Sequence, residues 1–250
     1  RRTPGGTVGS QRPGPAAHAA IGRGAGVPGG EVSGGCVQPA FADLANCVRC
    51  ERLADALREV RAEHPGYHAR PVAAFGDDAP RLLIVGLAPG MHGANRSGRP
   101  FTGDYAGVLL YETLHKFGWS TAPVSSSRDD GLELRGCRIT NAVKCWLPAN
   151  KPLPEEVRIC NAYLREELAA LAPDTAILAL GQIAHAAVLR ALGLPLKAHA
   201  FGHAARHVLA DGPTLFDSYH CSRYNTQTKR LTPAMFEAVF AAIDSCLARC

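Results

Sequence analysis

Three stretches of this 250-residue chain carry residue types suited to chemistry. The first is a scattered set of thiols: Cys47-x-x-Cys50, then Cys145, then Cys160. Four thiolates suit a zinc ion or an iron–sulfur cluster, and the spacing leaves both open. The chain has nine cysteines, an odd number at irregular intervals, which argues against a disulfide framework. Cys36, Cys137, Cys221, Cys246 and Cys250 are read as incidental thiols, Cys221 standing apart because it lies inside a motif.

The second stretch spans residues 86–104 and is rich in glycine. Glycines let backbone N–H groups approach a ligand closely. His92, Asn95 and Arg96 add polar reach, Phe101 is a large aromatic in a polar loop, and Asp104 follows at a helix start. The third stretch spans residues 218–232 and holds His220, Arg223, Tyr224 and Asn225. Asp104 is the only acidic residue in either string. It is expected to orient a water, in competition with a role as helix N-cap, and Asn95 is held in reserve for the water. Single histidines are more often structural than catalytic, so His92, His185, His203 and His207 receive no catalytic role.

These groups need a scaffold. Helices are predicted over residues 51–63, 105–117, from Pro154 to about 171, up to residue 192, and over 232–247. Gly118 and Gly193 stop two of them. Strands are predicted over 82–87, 138–143, 174–180 and 215–219. The alternation implies an α/β fold, a three-layer α/β/α sandwich around a central, mostly parallel four-stranded sheet. In such sheets the ligand sits beyond the carboxyl ends of the strands. Three of the four strand ends carry unusual polar sequences, at residues 86–104, 140–141 and 220–225.

As whole strings, these segments resemble the uracil-DNA glycosylase superfamily, and most of all its family 5, the type B enzymes. Gly86-Leu-Ala-Pro-Gly90 followed by the run from Asn95 to Asp104 is similar to the first family motif. Leu87 and Gly90 are apolar as in type B, where other families carry Asp, Asn or Glu nearby. Residues 218–232 resemble the second motif, with Cys221 where proline is usual; the loss of a fixed φ is expected to loosen the loop and slow the reaction. The segment 141–160, with Cys145 and Cys160, is similar to families that hold a [4Fe–4S] cluster, so the resemblance implies that Cys47, Cys50, Cys145 and Cys160 bind one. It also implies His220 as catalytic partner of Asp104, a base held by Leu87, Gly90, Phe101 and Asn141, and DNA contacts from Arg223, Tyr224 and Asn225.

The implied reaction is hydrolysis of the N-glycosidic bond of uracil, and of other deaminated bases such as hypoxanthine and xanthine, in double- and single-stranded DNA. No lysine stands at an evident position for a Schiff base, so a monofunctional enzyme leaving an abasic site for base excision repair is expected. The competing reading is a non-catalytic or redox iron–sulfur protein that binds nucleotides or DNA with the same fold.

Composition adds limits. Net charge is +5, of which residues 1–40 supply +3 through four arginines against one glutamate, so the body is nearly neutral. Affinity for DNA must therefore come from local groups such as Arg223, Lys229 and Arg230. Residues 1–40 contain 11 glycines and 5 prolines and are expected to be a disordered tail before a catalytic domain over 41–250. No apolar run is long enough to span a bilayer, and Arg1 and Arg2 precede no apolar segment. A cytoplasmic monomer is the expectation.

Overall fold

The computed structural model describes residues 40–209 and 212–249. The expected tail therefore lies, up to residue 39, outside the described residues. The elements run α1 (Glu51–Glu63), β1 (Phe75–Gly76), β2 (Leu82–Gly86), α2 (Ala94–Ser97), α3 (Tyr105–Lys116) and β3 (Cys137–Asn141). Then follow α4 (Pro154–Ala169), β4 (Ala176–Leu180), α5 (Gln182–Ala191), β5 (Arg206–Val208), β6 (Thr214–Ser218), α6 (Arg223–Gln227) and α7 (Pro233–Leu247).

The strands form one sheet in the order β1-β3-β2-β4-β6-β5. The four inner strands are parallel and are the four read from the sequence. The expected strand count is corrected from four to six, because β1 and β5 add short antiparallel edges. They escape sequence reading because β1 has two residues, and β5 has three, none of them buried, so neither leaves an apolar alternation.

β2 and β4 are buried along their whole length, as parallel strands covered on both faces must be. Their side chains alternate between two cores. Leu83, Val85, Ile177 and Ala179 pack with Leu53, Leu57, Tyr163, Leu164 and Val188 from α1, α4 and α5. Leu82, Ile84 and Leu178 pack with Leu110, Leu114, Phe236 and Phe240 from α3 and α7. This is the expected three-layer sandwich. Among the described residues, no helix is long and apolar enough to cross a membrane.

One polar feature lies deep in the first core. Lys144 is fully buried and donates to both carboxylate oxygens of Glu167 at 2.8 Å and to Thr140 Oγ1. An ammonium removed from water needs such complete pairing. Glu167→Gln leaves the cation uncompensated, and a loss of about 3–5 kcal/mol of stability is expected by denaturant titration. A loss under about 1 kcal/mol would show that the pair contributes little.

Candidate active site

A cavity of about 630 Å³ opens beyond the carboxyl ends of β2, β4 and β6. Leu87, Gly90, Phe101, Asp104 and His220 all line it, as the sequence reading placed them. Arg223 lines it too, together with Tyr105, Gln182 and Ile183, which that reading did not single out. Gln182 and Ile183 follow β4 closely, so the carboxyl end of that strand is the signal that could have found them. Tyr105 could have been found as a large aromatic at the first position of a helix next to a glycine-rich loop.

Asp104 precedes α3, but its side chain does not cap that helix. The N-cap reading is therefore corrected. The carboxylate turns back onto the loop, where Oδ2 accepts the Ala94 N–H at 2.9 Å, and the Gly90 N–H supports it as well. A Cβ at either Gly90 or Gly93 would run into this carboxylate, so both positions need the missing side chain. Burial raises the pKa of Asp104; the two N–H groups and nearby Arg96 oppose the rise without cancelling it. Asp104 also lines a second groove of about 580 Å³, shared with Arg96, Tyr105 and Arg223.

Phe101 sits at φ +58°, a left-handed conformation that costs a non-glycine residue about 1–3 kcal/mol. Two glycines accommodate it. Its carbonyl occupies the space where a Cβ of Gly107 would lie, and its ring occupies that of a Gly86 Cβ, at 2.6 Å. The ring stacks loosely on His220, 6.0 Å between centroids and 25° between planes.

His220 follows β6 and makes no side-chain hydrogen bond among the described residues. Desolvation alone pushes its pKa down to about 4, so the imidazole is neutral at pH 7 and has one N–H to donate. Its loop is fixed locally. Asn225 Nδ2 donates to the His220 carbonyl at 2.8 Å, and Ser222 caps α6 by accepting the Asn225 N–H. Asn225 is half-buried and commits its amide N–H to its own loop. Arg223 is exposed and lies over the Tyr105 ring at 5.1 Å, while Tyr224 is 70% exposed.

Two asparagines do not line the cavity. Asn95 is fully buried, with Nδ2 on the Met91 sulfur at 3.8 Å, so its reserve role in holding water has no place in this structure. Asn141 lies at the end of β3 beside Gly86 and the Phe101 ring, and its buried Oδ1 has no hydrogen-bond partner. Cys221 is fully buried, and its thiol is pushed up to about 12, chiefly by burial. It behaves as a small apolar residue.

The four expected thiols converge from separate elements. Cys50 stands at the N-cap of α1 and Cys160 lies within α4; Cys47 and Cys145 lie in adjoining loops. Burial and then the neighbouring cysteines raise the pKa of Cys145, and burial with Cys160, Glu156 and Cys47 raises that of Cys50 to about 11. No three of these sulfurs lie within 4.8 Å of one another. Lys144 N–H donates to Cys160 Sγ at 3.3 Å, and the Tyr163 hydroxyl, buried and without a hydrogen-bond partner, faces Cys47. Arg52 pairs with Glu156 through two 2.7 Å contacts and ties α1 to α4 beside the thiols.

Strand-end cavity, glycine-rich loop and converging thiols define an α/β protein with a candidate ligand site beyond its strand ends and a separate set of four thiols. Residues 73–244 match the family model described as the uracil DNA glycosylase superfamily. The chain is 48% identical over 198 residues to a type-5 uracil-DNA glycosylase from Thermus thermophilus, covering 77% of this chain and 90% of that protein. It is 46% identical over 193 residues to a type-5 enzyme from Pyrobaculum aerophilum, covering 76% and 84%. A type-4 uracil-DNA glycosylase from Archaeoglobus fulgidus is 34% identical over 139 residues, 54% of this chain and 62% of that protein. The chain belongs to the uracil DNA glycosylase superfamily, in its type-5 branch.

The His220 environment makes a pH prediction. Its folded pKa is depressed, so the unfolded chain takes the proton first. His220 therefore costs stability progressively as pH falls from about 6.5, its unfolded value, towards about 4. A proton NMR titration should find this ring neutral from pH 7 to pH 5. A midpoint near 6.5 would remove the desolvation account.

Proposed function

We propose that this protein is a monofunctional uracil-DNA glycosylase of base excision repair that leaves an abasic site. The observation that carries the reading is one cavity lined by both a carboxylate, Asp104, and a neutral imidazole, His220. A base within duplex DNA is out of reach, so the nucleotide must first flip into this cavity, at a cost of a few kcal/mol. Exposed Tyr224 is suited to fill the gap left behind, and exposed Arg223 and Arg96 to hold phosphates. In this reading the protein acts as a cytoplasmic monomer on double- and single-stranded DNA.

In the cavity the base stacks on Phe101. The unpartnered Asn141 Oδ1 is an acceptor suited to the N3–H of uracil, once the base and the Phe101 ring adjust to admit it. Cleavage breaks the bond between C1′ and the base nitrogen, and the electron pair leaves with the base. His220 donates its N–H to the oxygen that gains charge, a fixed dipole aimed at a developing anion. Asp104 favours the cationic sugar and accepts a proton from the water that bonds to C1′. Two N–H bonds to its carboxylate leave lone pairs for that water. The volume of the cavity, about 630 Å³, supports hypoxanthine and xanthine as further substrates.

Cys47, Cys50, Cys145 and Cys160 would hold a [4Fe–4S] cluster. Four thiolates on one zinc, at Zn–S of about 2.3 Å, lie about 3.8 Å apart, whereas these sulfurs are spread more widely. The Lys144 N–H and the Tyr163 hydroxyl are suited to cluster sulfurs, as donors are in such sites. When bound, the cluster supplies architecture, joining α1, the turn after β3 and α4. Iron and sulfide analysis should find one cluster per chain, lost together with folded structure in Cys160→Ser; full cluster content in that variant would exclude Cys160 as a ligand.

Duplexes holding uracil, hypoxanthine or xanthine, incubated with the protein and then treated with alkali, should be cleaved at the lesion, and left intact without alkali. No scission on any duplex would sink the proposal. Gly90→Ala should lower kcat at least tenfold with little change in Tm, because the added methyl displaces the Asp104 carboxylate. Unchanged kcat in that variant would remove Asp104 from the chemistry.

A further inference from the structure

His185 in α5, His207 in β5 and Asp217 in β6 come together on the α5 side of the sheet, apart from the residues that line the cavity. Each offers one ligand atom, and these atoms all lie within 4.8 Å of one another. His185 Nδ1 is 2.7 Å from Asp217 Oδ1, and His207 Nε2 is 3.1 Å from Asp217 Oδ2. The side chains are 3%, 12% and 0% exposed, respectively. Neither the uracil-excision chemistry nor the cysteine site uses them.

We propose that His185, His207 and Asp217 form a second metal site, for a divalent transition cation of the zinc class. Two imidazoles and one carboxylate are a donor set that zinc accepts, with a fourth position for water. Ligands at about 2.0–2.1 Å from a tetrahedral zinc lie about 3.3 Å apart, so the 2.7 and 3.1 Å contacts would lengthen as ligand atoms already within 4.8 Å of one another close on a single ion. The outer shell is in place as well. The second nitrogen of His185, Nε2, is 2.8 Å from the His199 carbonyl, the arrangement that fixes the tautomer of a metal-bound histidine. Gly202 N–H reaches Asp217 Oδ2 at 3.4 Å.

The chemistry of the metal-free site agrees with this. The Asp217 carboxylate and the His199 carbonyl face the two ring nitrogens of His185. With Nε2 directed at the His199 carbonyl, Nδ1 is the nitrogen turned to the carboxylate, and a metal would sit between them. The bound ion would clamp the edge strand β5 and the loop before it to β6, three residues ahead of His220.

Co²⁺ tests the site, because its absorption reports the ligand set. The whole protein, carrying its cluster, should bind one Co²⁺ per chain with the weak ligand-field bands of nitrogen and oxygen ligands and no thiolate charge-transfer band. Zn²⁺ should displace it and raise Tm. His207→Ala, on the edge strand, should weaken binding at least tenfold and abolish the Tm rise, while His64→Ala, at a distant helix end, leaves both unchanged. Should His207→Ala fail to fold, His207→Gln makes the same comparison. No Co²⁺ bound through nitrogen and oxygen ligands, or equal binding by the His207 variant, would overturn the site.

Discussion

The geometry of the cavity depends on one carboxylate. Asp104 reaches back across its own loop to the N–H groups of Gly90 and Ala94 and closes the segment between them into a ring. Only glycine at positions 90 and 93 leaves space for this. The rest of the loop is fastened from outside: Arg99 bonds Thr102, Ser125 and Asp130, and the Tyr111 hydroxyl donates to the Pro100 carbonyl at 2.9 Å. These contacts hold Phe101 in its left-handed conformation. Strain of this kind persists only where neighbours over-determine the backbone. The loop that carries chemistry is therefore as firmly held as the sheet beneath it.

The turn after β3 has a comparable role. Ala142 and Val143 donate to the carbonyls of Gly86 and Leu87, so the parallel ladder continues past the strands. Within this turn come Asn141, beside the Phe101 ring, the buried Lys144, and Cys145 of the thiol set. Lys144 ties it to Glu167 in α4, and its N–H reaches Cys160 in the same helix. Asn141, beside the Phe101 ring, and Cys145 are thus separated by four positions of hydrogen-bonded chain. Any group held by the four thiols would act on the cavity only through the placement of this turn.

Much of this was legible in the sequence, and the limits are physical. Helix α1 and the glycine stops of α3 and α5 follow from local preferences, which require only near neighbours. The inner strands are apolar runs buried on both faces. The loop polars were harder. Asp104 has the residue type, place and extended φ/ψ of a helix cap, yet its carboxylate accepts from N–H groups ten and fourteen residues earlier. Asn95 and Asn225 read as outward polar groups, but one is buried against Met91 and the other holds the His220 carbonyl. Local pattern does not reveal which backbone group an amide will reach. The His185, His207 and Asp217 group was invisible for a different reason: only the pairing of β5 with β6 and the packing of α5 bring these positions together.

Strand β6 joins the two ends of the chemistry. It is paired on both sides, with β4 and β5, and the Ser218 carbonyl accepts the Gly181 N–H at 2.8 Å as the strand ends. His220 leaves the sheet immediately afterwards, its Cβ at 3.5 Å from where a Cβ on Gly181 would stand. So placed, the half-buried imidazole is partly desolvated and has no acceptor, and desolvation lowers its pKa to about 4. A neighbouring carboxylate would have restored the cation and bound the N–H permanently. The bare, neutral ring keeps that donor free and pointed by the backbone alone. A histidine–carboxylate pair lies on the α5 side of the sheet, where His185 Nδ1 is 2.7 Å from Asp217 Oδ1. The contrast between a ring without an acceptor and a ring set against a carboxylate is the physical basis for proposing hydrogen-bond donation at His220 and cation binding at His185.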